Sequence, residues 1–515
     1  MSASFYRSWY SFDRRIDLMA VLGLDIGTGG SRAVLVGDDG RLLASATAAH
    51  DPFASPETGW AEQHPADWWR AAQQAIQELL SAAPVAPSTV QAVGLSGQMH
   101  GAVLLDEAGE VVRPAIIWCD QRSDAECRAL TARIGAGRLI EWVSNPALTG
   151  FTLPKLLWVR DHEPALWERV RTVLLPKDFV RWQLTGERAT DVADASGTLL
   201  FDVAHRCWSA AMLKAVDLPE DLLPVVYEGP AITGRVCAAG AQATGLLVGT
   251  PVVAGGGDQA AGAVGMGVVR PGTVSATIGT SGVVFAATDR PVMDGHGRVH
   301  TFCHAVPDRW HVMGVTQGAG LSLRWFKETF GVGELIDGAD GDSYDRLCAT
   351  AAGAPVGSDG VMWAPYLMGE RTPHLNPHAR AALVGLSASH SRAHVSRALL
   401  EGVAFSLRDS LTIIDEMGLS TRRVRLGGGG ARSALWRQIQ ADVYKHPVEL
   451  LEAEEGAAYG AALLAGVGTG LWDSVDQASE AVVRVAETLN PIPEHTVTLD
   501  RQYEQFRRLY PALHP

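Results

Sequence analysis

The sequence predicts an α/β chain of two related domains that face each other across a cleft. Three observations predict it. The chain has 515 residues, enough for two domains with sizeable cores. A strand, glycine turn and strand, Val21–Leu24, Asp25-Ile26-Gly27-Thr28-Gly29-Gly30 and Ser31–Val36, return about 250 residues later. The second copy is Val274–Ile278, Gly279-Thr280-Ser281-Gly282 and Val283–Ala286. The third observation is Thr250–Gly267, TPVVAGGGDQAAGAVGMG, which reads as a buried strand, a triple-glycine turn and a helix of small residues. On this reading residues 21–266 form the N-terminal domain, residues 271–515 the C-terminal domain, and residues 1–18 a disordered extension ahead of a natural start at Met19.

The first hairpin carries Asp25 at its strand end, where the second copy has Thr277. A purely structural role would favour the same residue type in both copies, so the lone acid suggests chemistry, such as holding a metal ion. Two Gly-Thr turns facing each other can hold a polyphosphate through backbone N–H groups and hydroxyls. Each alone is also an ordinary hairpin turn.

Between the hairpins, Val93–Asp106 (VGLSGQMHGAVLLD) breaks two apolar runs with Ser96-Gly97-Gln98-Met99-His100-Gly101, a turn suited to face a substrate. A single histidine in such a turn is more often structural. Ile116–Arg122 (IIWCDQR) offers Trp118 as a flat apolar face and Asp120 as a hydroxyl acceptor, unless Asp120 and Arg122 form a solvated ion pair. Leu174–Asp202 is polar and turn-rich, a sub-domain packed on the first core.

In Thr250–Gly267, Asp258 and Gln259 follow the glycines at a helix N-terminus, where backbone N–H groups are unpaired. A carboxylate flanked by Gly257 and, after Gln259, by Ala260 lets a small polar molecule approach, which suits a general base. An N-cap aspartate is the alternative. Gly255-x-Gly257-x-x-Ala260 also matches a relaxed dinucleotide fingerprint, but Asp258 sets a negative charge against the pyrophosphate and Thr273–Phe285 supplies no acid for a ribose.

After the second hairpin, Gly314–Trp325 is a glycine-rich entry to a helix, Gly369–Pro377 (GERTPHLNP) a turn-rich loop, and Ala393–Met417 a long amphipathic helix. Leu426 runs into Gly427–Gly430 and the helix Ala434–Tyr444; these glycines carry no acid, so a base or a phosphate can lie against them. Ala457–Ala465 is a small-residue helix, and Asp500–Leu513 a charged surface helix.

Composition excludes other classes. Hydrophobic residues make up 47% and charged residues 19%, a globular balance, and the net charge of −14 argues against nucleic acid as a partner. No glycine precedes any of the five lysines, so the Walker A loop is absent. Six scattered cysteines form no zinc or disulfide framework and fit a reducing cytoplasm, and no apolar run of membrane-spanning length occurs.

With LDIGTGG, SGQMHGA, IIWCDQR, LLPKDFVRWQLTG, TDVADASGT, GGGDQAAGAVG, IGTSG, GERTPHLNP, LGGGGARS and EEGAAYGAALLA in this order, the chain resembles the FGGY carbohydrate kinases from Val21 to the C-terminal helix. The resemblance implies two ribonuclease-H-like domains of the actin, hexokinase and Hsp70 type, with ATP and sugar meeting between them. SGQMHG, LPKDF and ASGT point to the branch that phosphorylates D-xylulose on its 5-hydroxyl. The resemblance makes Asp258 the catalytic base and Asp25 a second catalytic acid acting on Mg²⁺ through water. Gln98, Met99, His100, Trp118, Asp120 and Gln259 fall on the sugar. Gly27, Thr28, Gly279, Thr280, Gly320, Gly428, Gly429 and Gly430 fall on ATP. It also implies a homodimer. Two positions depart from the pattern: Cys119 replaces the amide that usually follows Trp118, and Gln259 replaces an asparagine. Kinases of ribulose, gluconate or glycerol are the nearest alternatives. A nucleotide switch like Hsp70 or actin, or an inactive sugar sensor, would differ in class.

Overall fold

The computed structural model describes residues 19–330, 343–452 and 456–514. The expected extension, residues 1–18, lies outside them, as do Glu454 and Glu455 of the EEGAAYG segment.

Two mixed sheets repeat one topology. In the first, β1 (Ala20–Ile26), β2 (Gly30–Gly37) and β3 (Leu42–Ala49) form an antiparallel meander. β4 (Val90–Gly97) runs parallel to β1, and beyond it come β5 (Ile232–Arg235) and β6 (Pro251–Val253), giving the order β5-β6-β4-β1-β2-β3. The second sheet contains β7 (Thr273–Ile278), β8 (Gly282–Thr288), β9 (His300–Cys303), β10 (Trp310–Thr316), β11 (Arg423–Gly428), β12 (Val448–Leu451) and β13 (Val485–Leu489). Its order is β9-β10-β8-β7-β11-β12-β13. Again a meander (β7, β8, β10) is followed by parallel strands (β11, β12) and an antiparallel edge. Both halves therefore have the same arrangement, two related domains as the repeated hairpins predict, of the ribonuclease-H-like kind that the family resemblance implies. β1 and β4 are apolar and buried, as strands covered on both faces must be.

Helices cover the sheets. α1 (Pro65–Ala82) starts with Pro65 at its first position, where the missing N–H is harmless, and the His64 side chain accepts from the Ala66 N–H. Its Trp68, Ala71, Ala72, Ala75, Ile76 and Leu79 recur at helical spacing and are buried. α2 (Pro176–Thr185) crosses behind the first sheet, and α3 (Asp258–Gly265) leaves the triple-glycine turn. α4 (Ala319–Thr329), α5 (Arg392–Glu416) and α6 (Ala434–Tyr444) serve the second sheet. Ser391 and His394 form a capping box at the start of α5, and Ser433 caps α6.

α7 (Gly456–Gly468) lies in sequence between β12 and β13 of the second sheet but packs on β1 and β4 of the first and on α3. It approaches at backbone distance. A Cβ on Gly23 would stand 1.8 Å from the Ala458 carbonyl, one on Gly94 1.9 Å from that of Ala461, and one on Gly460 1.8 Å from that of Ala261. Only glycine fits at these positions.

The tail differs from the expected surface helix. It divides into α8 (Pro493–Phe506) and a short turn of helix, and Leu499, Tyr503 and Phe506 of α8 are buried in the second core beside Phe405 of α5. Their spacing of four and three residues makes an apolar stripe that the charges around it obscure. No helix among the described residues is long and apolar enough to cross a membrane.

Candidate active site

Strand register brings the two acids of the sequence reading together. Asp25 of β1 lies opposite Ser96 of β4, and the two-residue strand Gly256–Gly257 continues the same row beside Ser96 and Gly97. Gly255 turns with φ 77°, and a Cβ there would meet the Leu95 carbonyl at 1.8 Å, so the chain needs glycine to enter this row. Asp258 is the first residue of α3, half-buried and next to Asp25. Burial and the Asp25 charge push its carboxyl up to about 7, against hydrogen bonds from Gln259 that favour the carboxylate. Asp25 is pushed up to about 6 by burial, partly offset by Ser96 and Arg32. Two neighbouring carboxyls near neutrality suit acid–base chemistry at physiological pH. Gln259, half-buried beside Asp258, favours its carboxylate form.

The SGQMHG turn packs on this row. A Cβ on Gly257 would meet the Met99 side chain at 2.8 Å, and one on Gly197 would meet His100 at 2.6 Å and Met99 at 3.1 Å. His100 has φ 70° and its Nδ1 lies 2.6 Å from the Gly197 carbonyl. A carbonyl only accepts, so Nδ1 carries the proton and Nε2 is left as an acceptor. Burial, then the Lys155 charge, hold this imidazole well below its ordinary pKa, so it is neutral.

Lys155, fully buried, donates to the carbonyls of His100 (3.2 Å), Phe151 (3.0 Å) and Gly150, which holds the left-handed turn in place. Without a carboxylate partner it is pushed down to about 7 by burial. Phe151 stands edge-on to both His100 and His300.

Three expected contacts are corrected. Gln98 is 1% exposed, and its amide donates to Gln63 (2.9 Å) and the Gly27 carbonyl (3.4 Å) while accepting from Thr28 (3.3 Å). It braces the first hairpin rather than facing a ligand. Asp120 is fully buried, and its oxygens accept from the Arg122 guanidinium, the Arg122 N–H and the Ala61 N–H. The ion pair is therefore interior, with Arg122 stacked over Trp60 at 3.7 Å, and Asp120 holds the loop instead of binding a hydroxyl. The Thr28 hydroxyl accepts from the Trp118 indole N–H at 2.9 Å and donates to Gln98, so this hairpin presents its backbone to the cleft. Trp118 remains half-buried, tethered by that bond with its ring at the surface of the loop.

The TDVADASGT and LPKDF segments meet in a buried charge cluster that periodicity did not reveal. Lys177 lies 2.7 Å from Asp178, 2.7 Å from Asp191 and 3.0 Å from Asp194, and Arg181 lies 2.7 Å from Asp178, all with side chains fully buried. Three carboxylates outweigh the burial that disfavours the Lys177 charge, while burial raises Asp194. Arg181 also donates to the Ala254 carbonyl, just ahead of the glycine turn, and Asp191 caps the short helix that ends at Gly197. The cluster thus ties the Asp258 turn to the residue under His100.

On the second sheet, the Gly279 N–H donates to Ser281 (3.0 Å) across the hairpin. The Gly320 N–H donates to the Gly279 carbonyl (2.9 Å) and that of Leu321 to the Thr280 carbonyl (3.0 Å). A Cβ on Gly320 would stand 2.3 Å from the Gly279 oxygen, so α4 can start against the turn only with glycine there. Gly279, Thr280, Gly320, Gly429 and Gly430 line one pocket of about 250 Å³, together with Trp436. Gly428 is outside that lining; its φ of 73° supplies the reversal that leads β11 into the short helix Gly429–Ala431.

Known proteins share this arrangement. The N-terminal domain of the FGGY family of carbohydrate kinases matches residues 20–265, and its C-terminal domain matches residues 274–469. The xylulose kinase of Escherichia coli is 40% identical over 495 residues, 96% of this chain and 99% of that one. That of Bacillus subtilis is 38% identical over 490 residues, 95% and 96% of the two chains. The crystal structure of xylulose kinase from Rhodospirillum rubrum superposes with a TM-score of 0.87 at 33% identity, covering 96% of this chain and 99% of that one. Twin sheets, paired acids and full-length kinship agree: the chain belongs to the FGGY family of carbohydrate kinases.

Proposed function

We propose that the chain transfers the γ-phosphoryl group of ATP to the 5-hydroxyl of D-xylulose. The observation that carries this is the row Asp25–Ser96–Gly256, which leads into Asp258, a carboxyl poised near neutrality, through Gly257, over which Met99 of the histidine turn packs. Full-length similarity to several xylulose kinases supports the choice of sugar.

In the proposed reaction the Asp258 carboxylate takes the hydroxyl proton as the new O–P bond forms. The bond from the γ-phosphorus to the bridging oxygen breaks, and ADP leaves with that electron pair. Met99, the acceptor Nε2 of His100 and the Trp118 face position the sugar. Backbone N–H groups of the two hairpins meet the phosphates, and the pocket of Gly320, Gly429 and Gly430 takes the adenosine side. The residues fit Mg²⁺ as well. The Oδ1 atom of Asp25 is buried with no hydrogen-bond partner among the described residues, and magnesium is commonly held by one or two carboxylates together with water and substrate phosphates. Asp25 would hold the ion through water, and the ion would neutralise developing phosphate charge. The six cysteines are free thiols, which suits the cytoplasm as the proposed setting, with a homodimer as the proposed assembly.

A panel of xylulose, ribulose, gluconate and glycerol, read as ADP release, tests the assignment. The highest kcat/KM is expected for xylulose; a higher value for another sugar reassigns the substrate. ATP hydrolysis that ignores every sugar would instead indicate a switch. A second result is expected at Gly197. Gly197→Ala sets a methyl against His100, and the xylulose KM should rise about tenfold, the worth of one lost hydrogen bond, with the ATP KM unchanged. Steady-state kinetics with an unaltered sugar KM would return His100 to a structural role.

A further inference from the structure

The GERTPHLNP loop belongs to the second sheet, yet one of its side chains reaches the sugar side of the first domain. The loop is held firmly. The Thr372 N–H donates to the Val315 carbonyl (3.0 Å), the Thr372 hydroxyl accepts from the Val315 N–H (3.1 Å), and that hydroxyl donates to the Arg298 carbonyl (2.8 Å). Glu370 accepts from the N–H groups of Gln317 (2.9 Å) and Arg371 (2.8 Å).

From this base the Arg371 guanidinium extends to Gly150. Its Nη2 lies 3.2 Å from where a Cβ of Gly150 would stand, and the Trp118 carbonyl lies 3.4 Å from the same point. Its charge acts on His100, His300, Lys155 and Cys119, the groups around the expected sugar.

That guanidinium is half-buried and makes no side-chain hydrogen bond or ion pair among the described residues. The groups facing it offer no free anion. His100 and His300 are neutral, Lys155 is a donor already spent on three carbonyls and never an anion, and burial keeps the Cys119 thiol protonated. Asp120 is taken by Arg122, and burial pushes Glu370 up to about 8. A rigidly mounted, partly desolvated set of donors with nothing to donate to is a ligand site.

We propose that Arg371 is a sugar-binding residue contributed by the second domain, donating to ketose oxygens opposite the acceptor Nε2 of His100. A donor-only group facing an acceptor suits a polyhydroxy ketone, whose oxygens meet both. The contact also spans the cleft, so bound sugar joins the two domains directly. This rests on the xylulose reading above.

The test uses Arg371→Met, which keeps length without donors, and Arg371→Lys, which keeps charge without the fork. Calorimetry with D-xylulose alone and with a non-hydrolysable ATP analogue alone separates the two sites. Arg371→Met is expected to weaken xylulose at least ~10-fold, Arg371→Lys less, with nucleotide affinity unchanged in both. Unchanged xylulose affinity overturns the proposal, and so do parallel losses for both ligands, which mark a structural role. If Arg371→Met does not fold, Arg371→Lys carries the same comparison. A wild-type protein that neither binds nor phosphorylates xylulose defeats the substrate reading and this inference together. A wild-type protein active on xylulose, beside an unaffected Arg371→Met, defeats only the role of Arg371.

Discussion

Asp258→Asn is expected to lower kcat by at least ~10²-fold, the scale of general-base help, while leaving both ligands bound. The amide keeps size and polarity but cannot take the proton from the acceptor hydroxyl. The pH profile gives a second reading. Asp258 works as the carboxylate, and its pKa stands raised to about 7, so wild-type kcat/KM should fall as pH drops through that value. Part of the elevation comes from the negative charge of Asp25. Asp25→Asn removes that charge, so the acid limb should move to lower pH, even though the variant loses activity for want of its own carboxylate. An acid limb that stays in place would mean that the two carboxyls do not interact. A rapid-quench measurement of the chemical step, compared with steady-state kcat, keeps product release from masking either effect.

Lys177→Met is the largest change expected in stability. The methionine fills the space but leaves Asp178, Asp191 and Asp194 without their shared cation, and breaking a buried ion pair from one side costs about 3–5 kcal/mol. Differential scanning calorimetry should show a clearly lower melting temperature. The sign of the pH dependence follows from the carboxylates. Once the lysine is gone they fold most easily when protonated, so the deficit should shrink as pH falls from 8 towards 5. A melting temperature within a degree of wild type at both pH values would show that the cluster does not hold the first domain together. Variant protein that survives should also bind xylulose poorly, because Asp191 caps the helix that delivers Gly197 to His100.

Local pattern carried the hairpins, the glycine turn before Asp258 and the helix Ala434–Tyr444 into the structure with their bounds nearly unchanged. These are short-range features, written by apolar runs and by glycines where the backbone needs them. Contacts between distant segments were another matter. Gln98 and Asp120 look like ligand groups because they are polar and stand beside glycine or tryptophan. Their partners, Gln63, Ala61 and Arg122, decide that they face inward. Lys155 and Arg371 gave no signal, since neither lies at a spacing that chemistry demands. One is defined by three carbonyls of a turn and the other by a loop from the opposite sheet. A clue was present for Gly197, because a glycine next to a conspicuous histidine partner is bare for a reason, but the partner lies 97 residues away.

The seating of α7 on β1 and β4 has a consequence for how the polypeptide is made. The first sheet leaves the ribosome early, yet the surface around Gly23 and Gly94 stays wet until residues 456–468 have been synthesised. The amino-terminal half therefore cannot bury this face with its own residues. Expressed alone as residues 19–270 it would lack the layer that seals one side, whereas adding the 456–468 segment back in trans offers it the missing cover.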